Sequence, residues 1–341
     1  MNIAVIDADI IGKNKHRFPN LATMKISSYY KLNGDTVVLE TDYNNIDNYD
    51  KVFISKVFTD TPCPDYILKK ENVEFGGTGF FYDKAKPLDD RIEHIIPDYD
   101  IYNDWISSKI EEGTKIDEFK YYKDYSIGFM TRGCIRQCSF CVNKNYKSCN
   151  LHSPIEEFLD NNRKKICLLD DNVFACTQWR LVFEGLKNTG KRFQFKQGLD
   201  ERLLTDEKCK ILFSSKWDGD YMFAFDNIKE RDIIEDKLSL IKKYAKPKAK
   251  IKFYTFCAYN HEKYGIYNKE FGHNDIRDLF ERIVILMKYQ YSPYIMRYKD
   301  YDISPYRGCY INIASWCNQN NFYKKMSYRE WVIASDNRVA S

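Results

Sequence analysis

No apolar run in this chain reaches the roughly 18 residues that a membrane-spanning helix needs, so no membrane span and no membrane partner are expected. The start, Met1 to Asp7, carries an acid where a secretory leader carries bases, and it reads as a strand. A cytoplasmic location is therefore the expectation. The sequence has no internal repeat and no low-complexity block. Charge of one sign is not in excess. Lys and Arg number 53 against 49 Asp and Glu, and the net charge of +4 is too small to require a nucleic-acid partner. The 11 cysteines are odd in number and irregularly spaced, and the expected reducing compartment keeps thiols free, which argues against a disulfide framework. A second paired cysteine motif, such as a later C-x2-C, is also missing, and with it the usual second half of a structural zinc site.

What is present is an ordinary globular composition, 44% hydrophobic and 30% charged, over a length that suits one large domain or two smaller ones. Within residues 1–90, strands are expected at Asn2–Ile6, Thr36–Leu39, Lys51–Val57 and Val73–Phe75, the last running into Gly76-Gly77-Thr78-Gly79. A helix opens after Phe18-Pro19-Asn20 and stops at Gly34. Strand and helix in alternation imply an open parallel sheet. His16 to Asn20 then lies at its carboxyl edge, either as a ligand loop or as a helix-start turn. Pro87 to Asp104 reads as an extended connector, and Glu111 to Lys123 as a short helix and loop.

From Tyr125 strand and helix repeat six times. The strands are Tyr125–Met130, Ile166–Leu169, Phe193–Lys196, Tyr221–Phe225, Lys250–Phe256 and Tyr294–Tyr298. The helices follow the capping box Ser153-Pro154-Ile155-Glu156, then span Thr177–Asn188, begin near Thr205, span Glu230–Tyr244 and begin near Asn274. Six such units are too few for a closed eightfold barrel. The expected fold is thus α/β: a shortened Rossmann-like parallel sheet over 1–90, a linker over 91–124, a partial (β/α)6 barrel over 125–300, and an aromatic-rich C-terminal extension over 301–341. The tail from Ile333 is expected to be disordered.

The most specific stretch is Gly133-Cys134-Ile135-Arg136-Gln137-Cys138-Ser139-Phe140-Cys141, with cysteines at C-x3-C-x2-C spacing. Iron–sulfur clusters are held by thiolates, normally four. Three close cysteines without a fourth leave one iron without a protein ligand, and an open position is what a catalytic metal keeps. The bland readings are a fragment of a zinc site or three unrelated thiols.

This spacing, with an aromatic residue just before the third cysteine, resembles the signature of the radical S-adenosylmethionine (SAM) superfamily. The resemblance implies a [4Fe–4S] cluster on Cys134, Cys138 and Cys141. It implies SAM as cosubstrate, with the backbone at Phe140 facing the adenine, and cleavage to a 5′-deoxyadenosyl radical that abstracts hydrogen. An external flavodoxin- or ferredoxin-like electron donor follows from the same likeness. The substrate is open and includes macromolecules. The first 90 residues resemble a shortened cobalamin-binding-type Rossmann domain, with Gly76-Gly77 where that family lets the backbone approach the nucleotide tail. Four strands instead of about five, and Asp9 and His16 spaced wrongly for an axial-ligand motif, weigh against cobalamin. A cobalamin-dependent radical SAM methyltransferase stays as one alternative. A zinc-holding module that binds nucleic acid or protein is another.

In α/β barrels chemistry sits at the carboxyl ends of the strands, and the distinctive polar groups fall there. Leu169-Asp170-Asp171-Asn172 resembles the acidic variant that takes the SAM ammonium, which points to Asp170 or Asp171. Gln197 and Asp226 are candidates for the ribose or carboxylate, and Arg202 for the carboxylate. Each is equally a strand-end cap or rim salt bridge. Cys309 and Cys317, with Cys149 or Cys257, are either an auxiliary redox or cluster set or buried hydrophobes. The tyrosines and bases from Tyr289 to Tyr310 either stack on nucleobases or pack as a cap.

Overall fold

The computed structural model describes residues 1–144, 146–260, 265–319 and 323–339, as a mixed α/β chain with parallel sheets. Two compact units result: Met1–Asp170 with Cys176–Phe193, and Asp171–Ala175 with Gln194–Ser341.

In the first unit β1 (Asn2–Asp7), β2 (Thr36–Leu39), β3 (Lys51–Ser55) and β4 (Val73–Gly76) form one sheet in the order β2-β1-β3-β4, every pair parallel. Strand side chains alternate between faces. Ile3 and Val5 therefore enter one core with Met24 and Phe53, while Ala4 and Ile6 enter another with Ile46 and Val52. A strand covered on both faces is a continuous apolar run, and all four strands lie within two residues of the expected positions.

The covers differ from those expected. α1 (Leu21–Leu32) is a full crossover helix, started by Asn20, whose side chain accepts from the Thr23 amide at 3.2 Å. The links after β2 and β3 make only 3-10 turns, at Tyr43–Asn48 and Ile67–Lys69. Pro87–Asp104, expected as an extended connector, holds a helical turn at Asp90–Glu93, and residues 91–124 pack into the sheet's core. They carry α2 (Asn103–Glu111), and they bury Tyr99, Ile101, Tyr102, Ile106, Phe119 and Tyr122 in the same core as α1. That segment replaces the missing crossover helices as the cover of one sheet face.

β5 (Tyr125–Gly128) leads to a short antiparallel pair, β6 (Thr131–Arg132) with β7 (Asn150–Leu151), and then to β8 (Lys165–Leu168), parallel to β5. The helix expected after Ser153 stops as one 3-10 turn, Ile155–Glu157. Phe158 leaves the helical region at φ −141° and packs its buried ring against Gly128. α3 (Trp179–Asn188) then leads to β9 (Arg192–Phe195), which joins this sheet in the order β5-β8-β9.

In the second unit β10 (Tyr221–Ala224), β11 (Ile251–Cys257) and β12 (Ser292–Arg297) form a parallel sheet in that order. Ile251, Phe253, Thr255 and Cys257 are buried on one face of β11, and the residues between them are half-buried. The helices are α4 (Asp206–Ser214), α5 (Arg231–Tyr244), α6 (Lys269–Lys288), α7 (Arg307–Cys317) and α8 (Tyr328–Val339). α6 starts at its cap Asn268, earlier than the expected Asn274. The tail from Ile333 is helical to Val339, not disordered, and 340–341 lie outside the described residues. The Trp316 to Asn320 stretch has a structural use up to Asn318, whose side chain accepts from the Ile295 amide at 2.7 Å and donates to its carbonyl at 3.1 Å. One asparagine thus stands in for a neighbouring strand along β12, blunting it against further pairing.

Two polar side chains hold the first unit together. Arg163 is buried and donates to the carbonyls of Tyr122, Tyr125 and Tyr99, with its guanidinium 4.2 Å from the Tyr99 ring. Lys25 on α1 is buried 3.0 Å from Glu93. Burial alone would raise the Glu93 carboxyl, but His152, Lys25 and Arg132 overrule it and hold it at about 2.

Replacing Arg163 by Met strands three buried carbonyls. Urea unfolding should show a loss of about 3 kcal/mol, the scale of breaking a buried charged network; an unchanged midpoint refutes this role. Because Glu93 binds its proton less readily folded than unfolded, its contribution is present above its ordinary 4.5 and is lost as pH falls toward about 2. The wild-type unfolding midpoint should drop across that window. Glu93→Gln should start lower at neutral pH and lack that part of the drop.

Candidate functional site

The cysteine loop springs from the carboxyl end of β5. Its two arms are zipped by β6 and β7, with Thr131 opposite Leu151 and Arg132 opposite Asn150. Gly133 opens the loop at φ +101°, and a Cβ there would sit 2.1 Å from the Ser148 carbonyl oxygen, so no side chain fits. Gln137 is left-handed at φ +50°, and its side-chain amide donates to the Tyr146 carbonyl. Cys134, Cys138 and Cys141 are all half-buried. The Arg136 amide donates to Cys134 Sγ and the Asn143 amide to Cys141 Sγ, each at 3.4 Å, and the Cys141 amide donates to the Cys138 carbonyl at 3.0 Å. Backbone N–H groups directed at sulfur stabilise thiolate charge, and such bonds surround iron–sulfur ligands. The donor set, three reachable thiols with two of them already receiving N–H groups, fits a cluster. Among the described residues no three His, Cys, Asp or Glu side chains are arranged to hold a metal ion, so the thiols share a loop without converging on one point.

The root of the loop is fixed from outside it. Asp170 is buried and accepts from the Met130 amide at 3.1 Å, the Thr131 amide at 2.6 Å and the Thr131 hydroxyl at 2.7 Å. Glu93 meets His152 Nε2 at 3.0 Å and Arg132 at 3.9 Å, one residue from each arm's base. Phe140 is half-buried, and its carbonyl accepts from the Tyr82 hydroxyl at 2.8 Å. Glu93 and Tyr82 were not found by sequence reading. Neither belongs to a local pattern, since Tyr82 meets its partner 58 residues away and Glu93 meets His152 at 59.

In the second unit Asn172 donates to Asp200 at 3.2 Å, Arg202 donates to Asp200 at 2.7 Å, and Arg202 also pairs with Glu230. Asp171 is half-buried and Gln197 exposed. Glu201, unremarked in the sequence, is buried and accepts from the Ala224 amide at 3.1 Å; burial pushes its carboxyl up to about 8. Burial likewise pushes Asp226 up to about 6, against the pull of Arg282 and of the Phe256 amide at 3.0 Å. Arg282 is itself buried and donates to the carbonyls of Phe225, Asp226 and Phe256 at 3.0, 3.1 and 2.9 Å. With Asp275, which accepts from Tyr310 at 2.7 Å, these groups line a small cleft beside Cys257 and Tyr259. The structure therefore brings Asp200, Arg202 and Asn172 together and gives Asp226 a different partner set.

Two of the remaining cysteines share a core. Cys309 is exposed, whereas Cys257 and Cys317 are buried in one apolar core, where burial raises both thiols and keeps them neutral. Tyr291, Tyr298 and Tyr310 of the aromatic run are buried, and Tyr294 is exposed. Arg17 of the loop after β1 lies 5.3 Å from the Phe119 ring and Asn20 caps α1, which matches the helix-start reading.

No family model matches the sequence. Three solved structures of the cobalamin-dependent S-adenosylmethionine radical enzyme OxsB are similar to it. The form with aqua-cobalamin and S-adenosylmethionine bound is 11% identical with a TM-score of 0.48, covering 81% of this chain and 51% of that one. The form with aqua-cobalamin bound is 11% identical with a TM-score of 0.36, covering 87% and 49%. The apo, selenomethionine-labelled form is 12% identical with a TM-score of 0.48, covering 95% and 56%. This chain spans about half the length of the OxsB chains it matches. Each is a distant likeness.

Proposed function

We propose that this chain is a radical SAM enzyme. The observation that carries the reading is the loop of Cys134, Cys138 and Cys141: three half-buried thiols at the end of a parallel strand, two of them receiving backbone N–H groups. Cys134, Cys138 and Cys141 would hold a [4Fe–4S] cluster, which would supply the electron for reductive cleavage of SAM to methionine and a hydrogen-abstracting 5′-deoxyadenosyl radical. The electron comes from an external flavodoxin- or ferredoxin-like protein, in the cytoplasm. The six strands expected from the sequence occur as two separate three-stranded parallel sheets, β5-β8-β9 and β10-β11-β12.

The chain's own residues hold and orient. The Arg136 and Asn143 amides stabilise charge on sulfur. Tyr82 fixes the carbonyl of Phe140, the residue assigned to the adenine. Asp170 commits its carboxylate to the root of the loop, so Asp171 is the acid of the pair assigned to the ammonium. Gln197 and Asp226 are assigned to the ribose or carboxylate and Arg202 to the carboxylate.

Anaerobic reconstitution with iron and sulfide should load about four irons per chain. Reduction in the presence of SAM should then yield 5′-deoxyadenosine by mass. A variant with Ala at Cys134, Cys138 and Cys141 should do neither. Zinc near one per chain with no iron, or equal activity in the triple variant, would sink the reading.

A further inference from the structure

The first sheet has the order β2-β1-β3-β4, so the chain reverses its direction of winding on either side of β1. In open parallel sheets ligands enter the crevice outside the carboxyl ends of the strands at such a switch point. Here the loops that would have to part are bonded to one another. Asp9, just beyond β1, is buried and accepts from the Val57 amide at 2.7 Å, the Phe58 amide at 3.4 Å and the Thr61 hydroxyl, all beyond β3. Asp7 accepts from the Tyr102 hydroxyl at 2.8 Å, so α2's approach closes the same edge. Thr61 and Pro62 pack on Gly12, within 2.8 Å of where a side chain there would begin. The loop beyond β4 joins in. The Gly79 amide donates to the Lys56 carbonyl at 2.9 Å, and a Cβ at Gly77 would lie 2.3 Å from that carbonyl. The Gly76-Gly77 pair does admit a close backbone approach, but the approaching group is the chain's own Lys56.

Beyond that closed edge the chain turns outward. Tyr82 sits at φ +50°, a conformation rare for a residue with a side chain. From there its hydroxyl reaches the Phe140 carbonyl, inside the cysteine motif. We propose that the N-terminal sheet takes no corrinoid or nucleotide tail and instead positions the cysteine loop, with Tyr82 as the positioning residue. The inference stands on unit-one geometry alone and does not depend on what the cysteines hold.

Two measurements on the full-length chain test it. Purified protein mixed with excess hydroxocobalamin and passed over gel filtration should carry no corrinoid absorption in its peak. One corrinoid per chain overturns the first half. Hydrogen exchange of the amides around Cys138 to Asn143 should be about fivefold faster in Tyr82→Phe, the factor set by losing a hydrogen bond of about 1 kcal/mol. Exchange within β1 to β4 should stay at the wild-type rate. Tyr66→Phe, at an exposed tyrosine of the same unit, is the control and should change neither. Unchanged loop exchange in Tyr82→Phe, or equal acceleration in the sheet, overturns the positioning role. Neither measurement needs a loaded cluster, so either can fail while the radical SAM reading holds.

Discussion

A carboxylate removed from water must be given opposite charge and hydrogen bonds in place of solvent. Glu93 obtains them from three segments far apart in sequence: Lys25 on α1, Arg132 on β6 and His152 beyond β7. Satisfying one buried charge therefore ties the crossover helix of the first sheet to both arms of the cysteine loop. Asp170 does the same from the other side, spending its oxygens on the Met130 and Thr131 amides. The root of the loop is thus held at two carboxylates. Fixing the ends of a binding loop on rigid elements is how a loop can carry both chemistry and precision.

The ends of parallel strands meet three fates in this chain. At the first sheet the loops after β1, β3 and β4 bond to each other, and a crevice that topology would open is closed. After β5 the chain leaves a loop whose thiols stay half-buried. After β10 and β11 the carbonyls converge on the single guanidinium of Arg282. A planar group with five donors suits that task, since it collects several acceptors without needing a proton of its own. The strand ends of the second unit are thus held by a buried cation, whose charge the nearby carboxylates of Asp275 and Asp226 favour.

The strands were legible because burial on both faces writes an apolar run into a few consecutive residues, as in Ile3 to Ile6. The cysteine motif was legible for the same reason, since spacing is a local property. Covers and clamps were not. Ser153-Pro154-Ile155-Glu156 has the signals of a helix start, but a single turn forms because burying Phe158 against Gly128 outweighs propagation. Residues 91–124 look like a connector by composition, yet their aromatics fill the core left by the absent crossover helices. Glu93, Tyr82 and Arg282 act over 26 to 68 residues of separation, and no single-sequence pattern encodes such a distance.

Buried carboxyls in this chain also show what decides their charge. Burial works in the same direction at Asp7, Glu201, Asp226 and Glu93, pushing each upward. Glu93, with Lys25, Arg132 and His152 around it, ends at about 2. Asp226, half-buried in its cleft and close to Arg282, ends at about 6. Asp7 receives the Tyr102 hydroxyl and the Asp9 and Ile10 amides, but burial and the repelling Asp9 take it to about 7. Glu201 has an amide from Ala224 and a repelling Asp200, and it reaches about 8. Desolvation outweighs the hydrogen bonds at Asp7 and Glu201 and the pull of Arg202 at Glu201, and only the three basic neighbours of Glu93 together reverse it. It follows that Glu201 keeps its proton at neutral pH. Beside it Asp200 and Glu230 carry two negative charges against the one positive charge of Arg202, so the guanidinium is fully neutralised by its two ion-pair partners without Glu201.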